Sequence, residues 1–311
     1  MRLSGVSALE RYETCYVARD GPTIPFSCAG RIAADRSRGL RILVVCVGFP
    51  PEDPEVLGAF DHLGADVLSW GNPWNDPLPP LSESLQSKER GSEAWDQKLG
   101  PFLEEVWRKA RPKRVYLPLG VAGDGLDRAI HEVGLRVFTS LETRDLFLYE
   151  ERPGALLQGA VRMRLAQIGA SLPPAASKVA GSSLLGTVLS FERAPHLKER
   201  LPGWSERLRA ATTLGREWLA SRKWQPQRAF GPRLQPLFQE MTGAALGVPR
   251  LVPDLVSRRF GSERRLSALS LRYARSLGHK EGIERYWLVL PERQALGAIA
   301  PGLPLPGEPS S

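Results

Sequence analysis

The chain has 311 residues, 42% hydrophobic and 24% charged, with 42 basic and 34 acidic side chains for a net charge of +8. That length can bury a full core, and no stretch approaches the ~20 apolar residues of a membrane span, so a soluble globular protein is expected and an embedded one is not. The three cysteines (Cys15, Cys28, Cys46) form no CxxC, and the four histidines (His62, His131, His196, His279) begin no HxH or HExxH, which excludes a zinc knuckle and leaves little for a histidine metal site.

The charge is uneven: residues 1–150 hold 18 basic and 22 acidic groups, residues 151–311 hold 24 and 12. The change of sign marks a boundary near 150 and gives the second half a field that favours anions. Its basic residues stand singly or in pairs, such as Arg222-Lys223, Arg258-Arg259 and Arg264-Arg265. With no long basic run and no RNA-module aromatic pattern, a solvated arginine-rich surface is favoured over nucleic-acid binding. The opening MRLSGVSALERYE lacks the apolar centre of a secretory signal, so a cytoplasmic location is expected and the cysteines read as small buried residues.

Along the chain, Tyr12–Ala18 predicts a first strand, a Gly/Pro turn follows at Asp20-Gly21-Pro22, and a helix runs from about Phe26 to Arg38 until Gly39 ends it. Arg41–Val47 is a continuous β-branched run of the kind buried on both faces. A helix over 56–63 ends at Gly64, a third strand covers 65–70, and a Pro-rich surface loop fills 71–84. Apolar residues at Trp95, Leu99, Phe102, Leu103, Val106 and Trp107 predict a helix over 92–109 with Ser92 as its cap. Arg114–Pro118 is a fourth strand, Leu119–Gly125 a Gly-rich loop, 126–133 a helix and Leu146–Glu150 a further strand, stopped by Pro153. Beyond 155 the pattern is mainly helical (155–168, 196–224, 264–277), broken by Pro/Gly segments at 172–186 and 225–253. The alternation predicts an α/β fold: a Rossmann-like parallel sheet with helices on both faces over 1–155, a basic, mainly helical extension over 156–300 packed on it, and a disordered tail at 301–311.

Ligands of such sheets bind beyond the carboxyl ends of the strands, which points to the loops Arg19–Thr23, Leu119–Asp127 and Tyr149–Arg152. Four fragments then stand in a significant order: Ser27-Cys-Ala-Gly-Arg-Ile-Ala33, Leu117-Pro-Leu-Gly-Val-Ala-Gly-Asp-Gly-Leu-Asp-Arg128, Leu148-Tyr-Glu-Glu-Arg-Pro153 and Glu284-Arg-Tyr-Trp287. Together they resemble the PIG-L/LmbE-like family of zinc-dependent N-deacetylases. The resemblance implies a zinc held by a histidine and an aspartate of the first loop and a histidine of the second, with an adjacent aspartate as the base for a zinc-bound water. In this sequence Asp20 stands where the metal histidine belongs, Pro22 at the base and Thr23 at the metal aspartate; Asp124 and Asp127 stand at the two histidine positions, with Leu126 between them.

Every ligand position is altered, so the fold carries over and zinc is not expected as a cofactor. The resemblance therefore implies a catalytically degenerate protein that keeps a cleft for a small polar or sugar-like ligand or a partner. Its cleft residues are Arg19, Asp20, Thr23, Asp124, Asp127, Arg128, Tyr149 and Glu150. One alternative is an active metal-dependent amidohydrolase of N-acyl amino sugars in which Asp20, Asp124 and Asp127 hold Mg²⁺, Ca²⁺ or Mn²⁺. The other is an anion- or nucleic-acid-binding module. The plain counter-reading is that Asp20 serves the turn and Asp124 or Asp127 caps a helix, with Arg19 or Arg128 as counter-charge. Tyr149 suits sheet packing as well as ligand contact, Asp127 and His131 share one helix side where a solvated pair is ordinary, and Glu284-Arg285 suits the ordering of the second half against the first.

Overall fold

Ile42-Leu-Val-Val-Cys-Val-Gly-Phe49 has no polar position to turn toward water, and it lies where such a run must, well inside a sheet covered on both faces. In the computed structural model, residues 2–3, 5–49, 53–70, 92–121, 125–141, 143–174, 183–198, 203–228, 230–241 and 243–291 are described. The loop 71–84, the Ser92 side chain, Asp124 and the tail 301–311 lie outside them. Eight strands form one sheet: β1 (Arg2–Leu3), β2 (Thr14–Asp20), β3 (Ile42–Phe49), β4 (Asp66–Ser69), β5 (Arg114–Pro118), β6 (Asp145–Tyr149), β7 (Arg233–Glu240) and β8 (Ile283–Leu290), in the order β1-β4-β3-β2-β5-β6-β8-β7. Among the described residues no helix is long and apolar enough to cross a membrane.

Strands β1 to β6 pair in parallel, but β8 runs antiparallel to β6 (Leu148 opposite Trp287) and β7 antiparallel to β8. The parallel sheet expected from the first half is thus a mixed sheet, and residues read as the helical half supply two of its strands. β7 hides its nature because only Leu234 of Arg233-Leu-Gln-Pro-Leu-Phe-Gln-Glu240 is fully buried, and Pro236 marks it as an edge.

The period of two sorts side chains to opposite layers. From β2 and β3, Cys15, Val17, Leu43 and Val45 point to one core; Tyr16, Ala18, Val44 and Cys46 point to the other. Helices α1 (Thr23–Ser27), α2 (Ala29–Ser37) and α3 (Pro54–Leu63) belong to the second layer; α4 (Ser92–Ala110) and α5 (Gly125–Ser140) to the first. The single helix predicted from Phe26 is broken in two at Cys28, whose φ of −135° lies outside the helical range. Across the sheet Tyr16, Tyr116 and Phe147 stack in register, with centroids 4.4 and 4.7 Å apart. All three cysteines are free and buried.

The second half continues with α6 (Ala160–Gln167), α7 (Leu184–Glu192), α8 (Pro195–Lys198), α9 (Trp204–Lys223), α10 (Ala244–Leu251), α11 (Pro253–Phe260) and α12 (Glu263–Ser276). One of its ties to the first half is Glu284 of β8. One carboxylate oxygen accepts the Gly30 amide at 2.7 Å; the other accepts the Arg31 amide at 3.0 Å and the Tyr286 hydroxyl at 2.7 Å, at the start of α2. A Cβ at residue 30 would lie 3.0 Å from that carboxylate, so glycine permits the approach. Glu284→Ala orphans buried donors and is expected to lower the unfolding free energy by about 1–3 kcal/mol in denaturant titration. An unchanged midpoint would deny Glu284 this ordering role.

Candidate functional site

β2 and β5 are neighbours, yet the chain leaving β2 turns toward β3 on one side and the chain leaving β5 turns toward β6 on the other. The loops beyond their carboxyl ends diverge and open a crevice at the point where strand order reverses. A cavity of about 350 Å³ lies there, walled by Arg19, Thr23, Asp127 and Glu151 from the sheet loops and by Arg258 and Arg259 from α11.

Asp20 ends β2 just past an irregularity in its pairing with β3 and is almost wholly buried. One carboxylate oxygen accepts the Thr23 amide at 3.0 Å and the Thr23 hydroxyl at 2.6 Å, which closes the turn over Gly21-Pro22. The other accepts Arg19 at 2.5 Å and Arg259 at 3.0 Å. Burial alone would raise the Asp20 pKa; Arg19, then Arg259, then the Thr23 bonds overcome it and hold the carboxyl well below the usual carboxylate range. The counter-charge expected from Arg19 is present, and a second comes from Arg259, 239 residues away.

Asp127 opens α5 with its side chain buried, 3.7 Å from the Arg19 guanidinium. It does not form a solvated pair with His131. His131 is buried as well, with Nδ1 3.0 Å from the Pro118 carbonyl oxygen. Burial, and then the Arg164 charge, lower the His131 pKa to about 3, so it stays neutral. Arg164 donates to the Leu119 carbonyl oxygen at 2.8 Å, and burial together with Arg128 lowers its pKa to about 10.

Glu151 is the carboxyl that the sequence placed next to the site but not in it. Oε1 accepts the amides of Gly120 at 2.6 Å and Val121 at 3.0 Å. Oε2 is buried without a hydrogen-bond partner, in a side chain on the cavity wall. Burial, then the charge of Asp127, push its pKa up to about 8, against the pull of its own amide and that of Gly120, so the protonated form is favoured at neutral pH. Gly120 makes the cradle possible: its φ is +80°, and a Cβ would lie 3.0 Å from the Arg164 guanidinium.

Of the predicted site residues, Arg19, Thr23 and Asp127 line the cavity and Asp20 lies directly behind it. Tyr149 and Glu150 lie behind the wall, held by structural partners. The Tyr149 hydroxyl donates to the Val17 carbonyl oxygen at 3.0 Å; Glu150 accepts Arg285 at 2.6 Å, the Trp287 indole at 2.9 Å and the Tyr273 hydroxyl. Arg128 is on α5 and is not one of the cavity residues, and Asp124 lies outside the described residues. Sequence reasoning missed Arg258 and Arg259 as site residues; the adjacent basic pair was visible, its position over a loop of the first half was not.

Among the described residues no three His, Cys, Asp or Glu side chains are grouped to hold a metal. The zinc implied by the resemblance does not fit the described side chains of the first loop. A zinc ligand must offer a lone pair to the cation, and the lone pairs of Asp20 already face two guanidiniums and a hydroxyl. Thr23 serves Asp20, and proline at 22 offers nothing.

The backbone matches a deacetylase of the teicoplanin biosynthesis pathway, solved with teicoplanin, over 89% of this chain and 98% of that one, at 12% identity and a TM-score of 0.53. The chain has the PIG-L/LmbE-like deacetylase fold. It is also similar to the A40926 pseudoaglycone deacetylase (15% identity, 90% of this chain and 98% of that one, TM-score 0.46) and to N,N'-diacetylchitobiose deacetylase from Pyrococcus horikoshii (13% identity, 88% and 82%, TM-score 0.38). No protein-family model and no curated protein sequence matches the chain. At identities this low the likeness concerns the course of the backbone and not the reaction.

Proposed function

We propose that the chain is a non-hydrolytic binding protein on a deacetylase-type fold, taking a small polar ligand in the crevice where the fold's metal chemistry would lie. The observation that carries this reading is the clamp on Asp20. Two guanidiniums stand within 3.0 Å of the carboxylate oxygen that a metal would need. A divalent cation entering there would meet two positive charges and would have to break three charge-assisted bonds. What the wall offers a ligand instead is hydrogen bonding: the guanidiniums of Arg19 and Arg259 carry more N–H donors than Asp20 accepts, and the Glu151 carboxyl stands on the same wall. No metal cofactor and a cytoplasmic location belong to the same proposal.

A second reading, hydrolysis by side chains alone, draws on one observation, the proton-bearing Glu151 with its free oxygen on the cavity wall. Acetate release from N-acetylglucosamine and from N,N'-diacetylchitobiose, measured with added Zn²⁺, Mg²⁺ or Mn²⁺, separates the two. Release no faster than in protein-free buffer is expected. Turnover that Glu151→Gln abolishes would establish the hydrolase instead.

Most arginines of the second half are exposed, but they stand singly or in pairs with no long basic run, and several are engaged within the fold, which gives little support to a nucleic-acid surface. Arg259 meets Asp20, Arg258 meets Asp53, Arg285 meets Glu150 and Arg265 meets the Arg193 carbonyl oxygen.

A further inference from the structure

The polar cavity does not stand alone. A second cavity of about 400 Å³ shares Pro153, His196 and Arg259 with it. Its floor is hydrocarbon, from Leu156, Leu157, Leu189, Phe260 and Leu269. Four arginines, Arg193, Arg259, Arg265 and Arg272, also line it, and among the described residues no acidic one does. Each cavity is within the ~300–1,000 Å³ of small-molecule sites. An apolar cavity of this size gives water too few polar partners, while four arginines, of which only Arg259 is paired with a carboxylate, Asp20, among the described residues, favour an anion where the hydrocarbon ends.

We infer that the two cavities form one site for a single-chain amphiphile, with its anionic head, carboxylate or phosphate, against the arginines where the cavities meet at Arg259 and its alkyl chain in the hydrocarbon cavity. This deepens the binding function proposed above and rests on it. Recognition is divided by chemistry. The guanidinium of Arg259 lines both cavities; Asp20 takes one bond from its Nη2, and its further N–H groups, with Arg193, Arg265 and Arg272, supply donors for an anion. The carboxylates of the polar cavity are offset in place, Asp127 by Arg19 and Asp53 by Arg258, and burial favours the neutral form of Glu151. The chain binds by leaving water, at up to a factor of about four in affinity per buried methylene.

Titration calorimetry of the full chain with dodecanoate, dodecyl phosphate, dodecyl maltoside, butyrate and inorganic phosphate, below the micellar range, tests this. Dodecanoate or dodecyl phosphate is expected to bind at least 100-fold tighter than butyrate or inorganic phosphate, and at least tenfold tighter than the uncharged maltoside; the better of the two anions identifies the head. Ala268→Trp projects bulk from an exposed position into the hydrocarbon cavity and should weaken binding of the better dodecyl anion at least tenfold with an unchanged melting temperature. Arg272→Ala, also exposed, should weaken the dodecyl anions and leave the maltoside unaffected. Equal affinity for long and short anions, equal affinity for charged and uncharged dodecyl compounds, or indifference to Ala268→Trp would each overturn the amphiphile while leaving a polar-ligand crevice standing. Metal-dependent acetate release would instead overturn the binding function beneath it.

Discussion

Replacing Asp20 with alanine is expected to lower the unfolding free energy by about 2–4 kcal/mol, without changing how much metal the chain retains. Removing one partner of a buried ion pair costs about 3–5 kcal/mol because the remaining charge is stranded. Here two charges are stranded, but the side chains of Arg19 and Arg259 are 15% and 18% exposed, so water reaches them and the loss falls toward the lower end. The same change frees the Thr23 amide and hydroxyl at the turn. Asp20→Asn should lose less, since an amide oxygen can still accept from Thr23 while the ionic part is gone. Denaturant titration at pH 7 checks the order; a loss below about 0.5 kcal/mol for alanine would mean that the clamp is incidental to the loop.

Glu151→Gln is expected to flatten the alkaline limb of the stability profile and to leave the variant more stable than the parent at pH 9. In the folded chain Glu151 holds its proton up to about pH 8; unfolded, it releases it near its ordinary value of 4.5. The folded state therefore binds more protons in between, and stability falls as pH rises from about 4.5 through 8. His131 acts in the opposite sense: folded it resists protonation down to about pH 3, unfolded it takes a proton near 6.5, so stability falls as pH drops through that window. The two slopes offset between about pH 4.5 and 6.5, and the parent should be level there and decline on either side. Glutamine retains the oxygen that accepts from Gly120 and Val121, so the cradle persists. An alkaline limb identical in parent and variant would place the titrating group elsewhere.

The part of the fold visible in the sequence was the part that burial writes locally. Ile42–Phe49 shows no polar position because both its faces are covered, and Arg114–Pro118 was delimited by its own β-branched and aromatic run. Strand β7 left no such record: at an edge, with only Leu234 fully buried, its residues answer more to solvent than to the sheet. The end of α5 was placed too early because its later turns mix polar and apolar residues as a surface helix does. At the site, Asp20, Thr23 and Asp127 were legible from loop position and order along the chain. Their chemistry was not, because it depends on Arg259, whose closeness to Asp20 exists only after α11 packs over the first-half loops. Glu150 and Glu151 show the limit most sharply. Adjacent and chemically identical, they part at the end of β6: one turns into the Arg285–Trp287 cluster of β8, the other toward the crevice. Local sequence gives no sign of which is which.

The most direct test of the guanidinium clamp is the zinc content of the full chain after incubation with excess Zn²⁺ and exhaustive dialysis at pH 7, set beside Asp20→Ala and Asp127→Ala. With the Asp20 lone pairs facing Arg19 and Arg259, less than about 0.1 equivalent should remain in all three. About one equivalent in the parent, lost in either variant, would show that this crevice holds a metal and that the clamp yields to it.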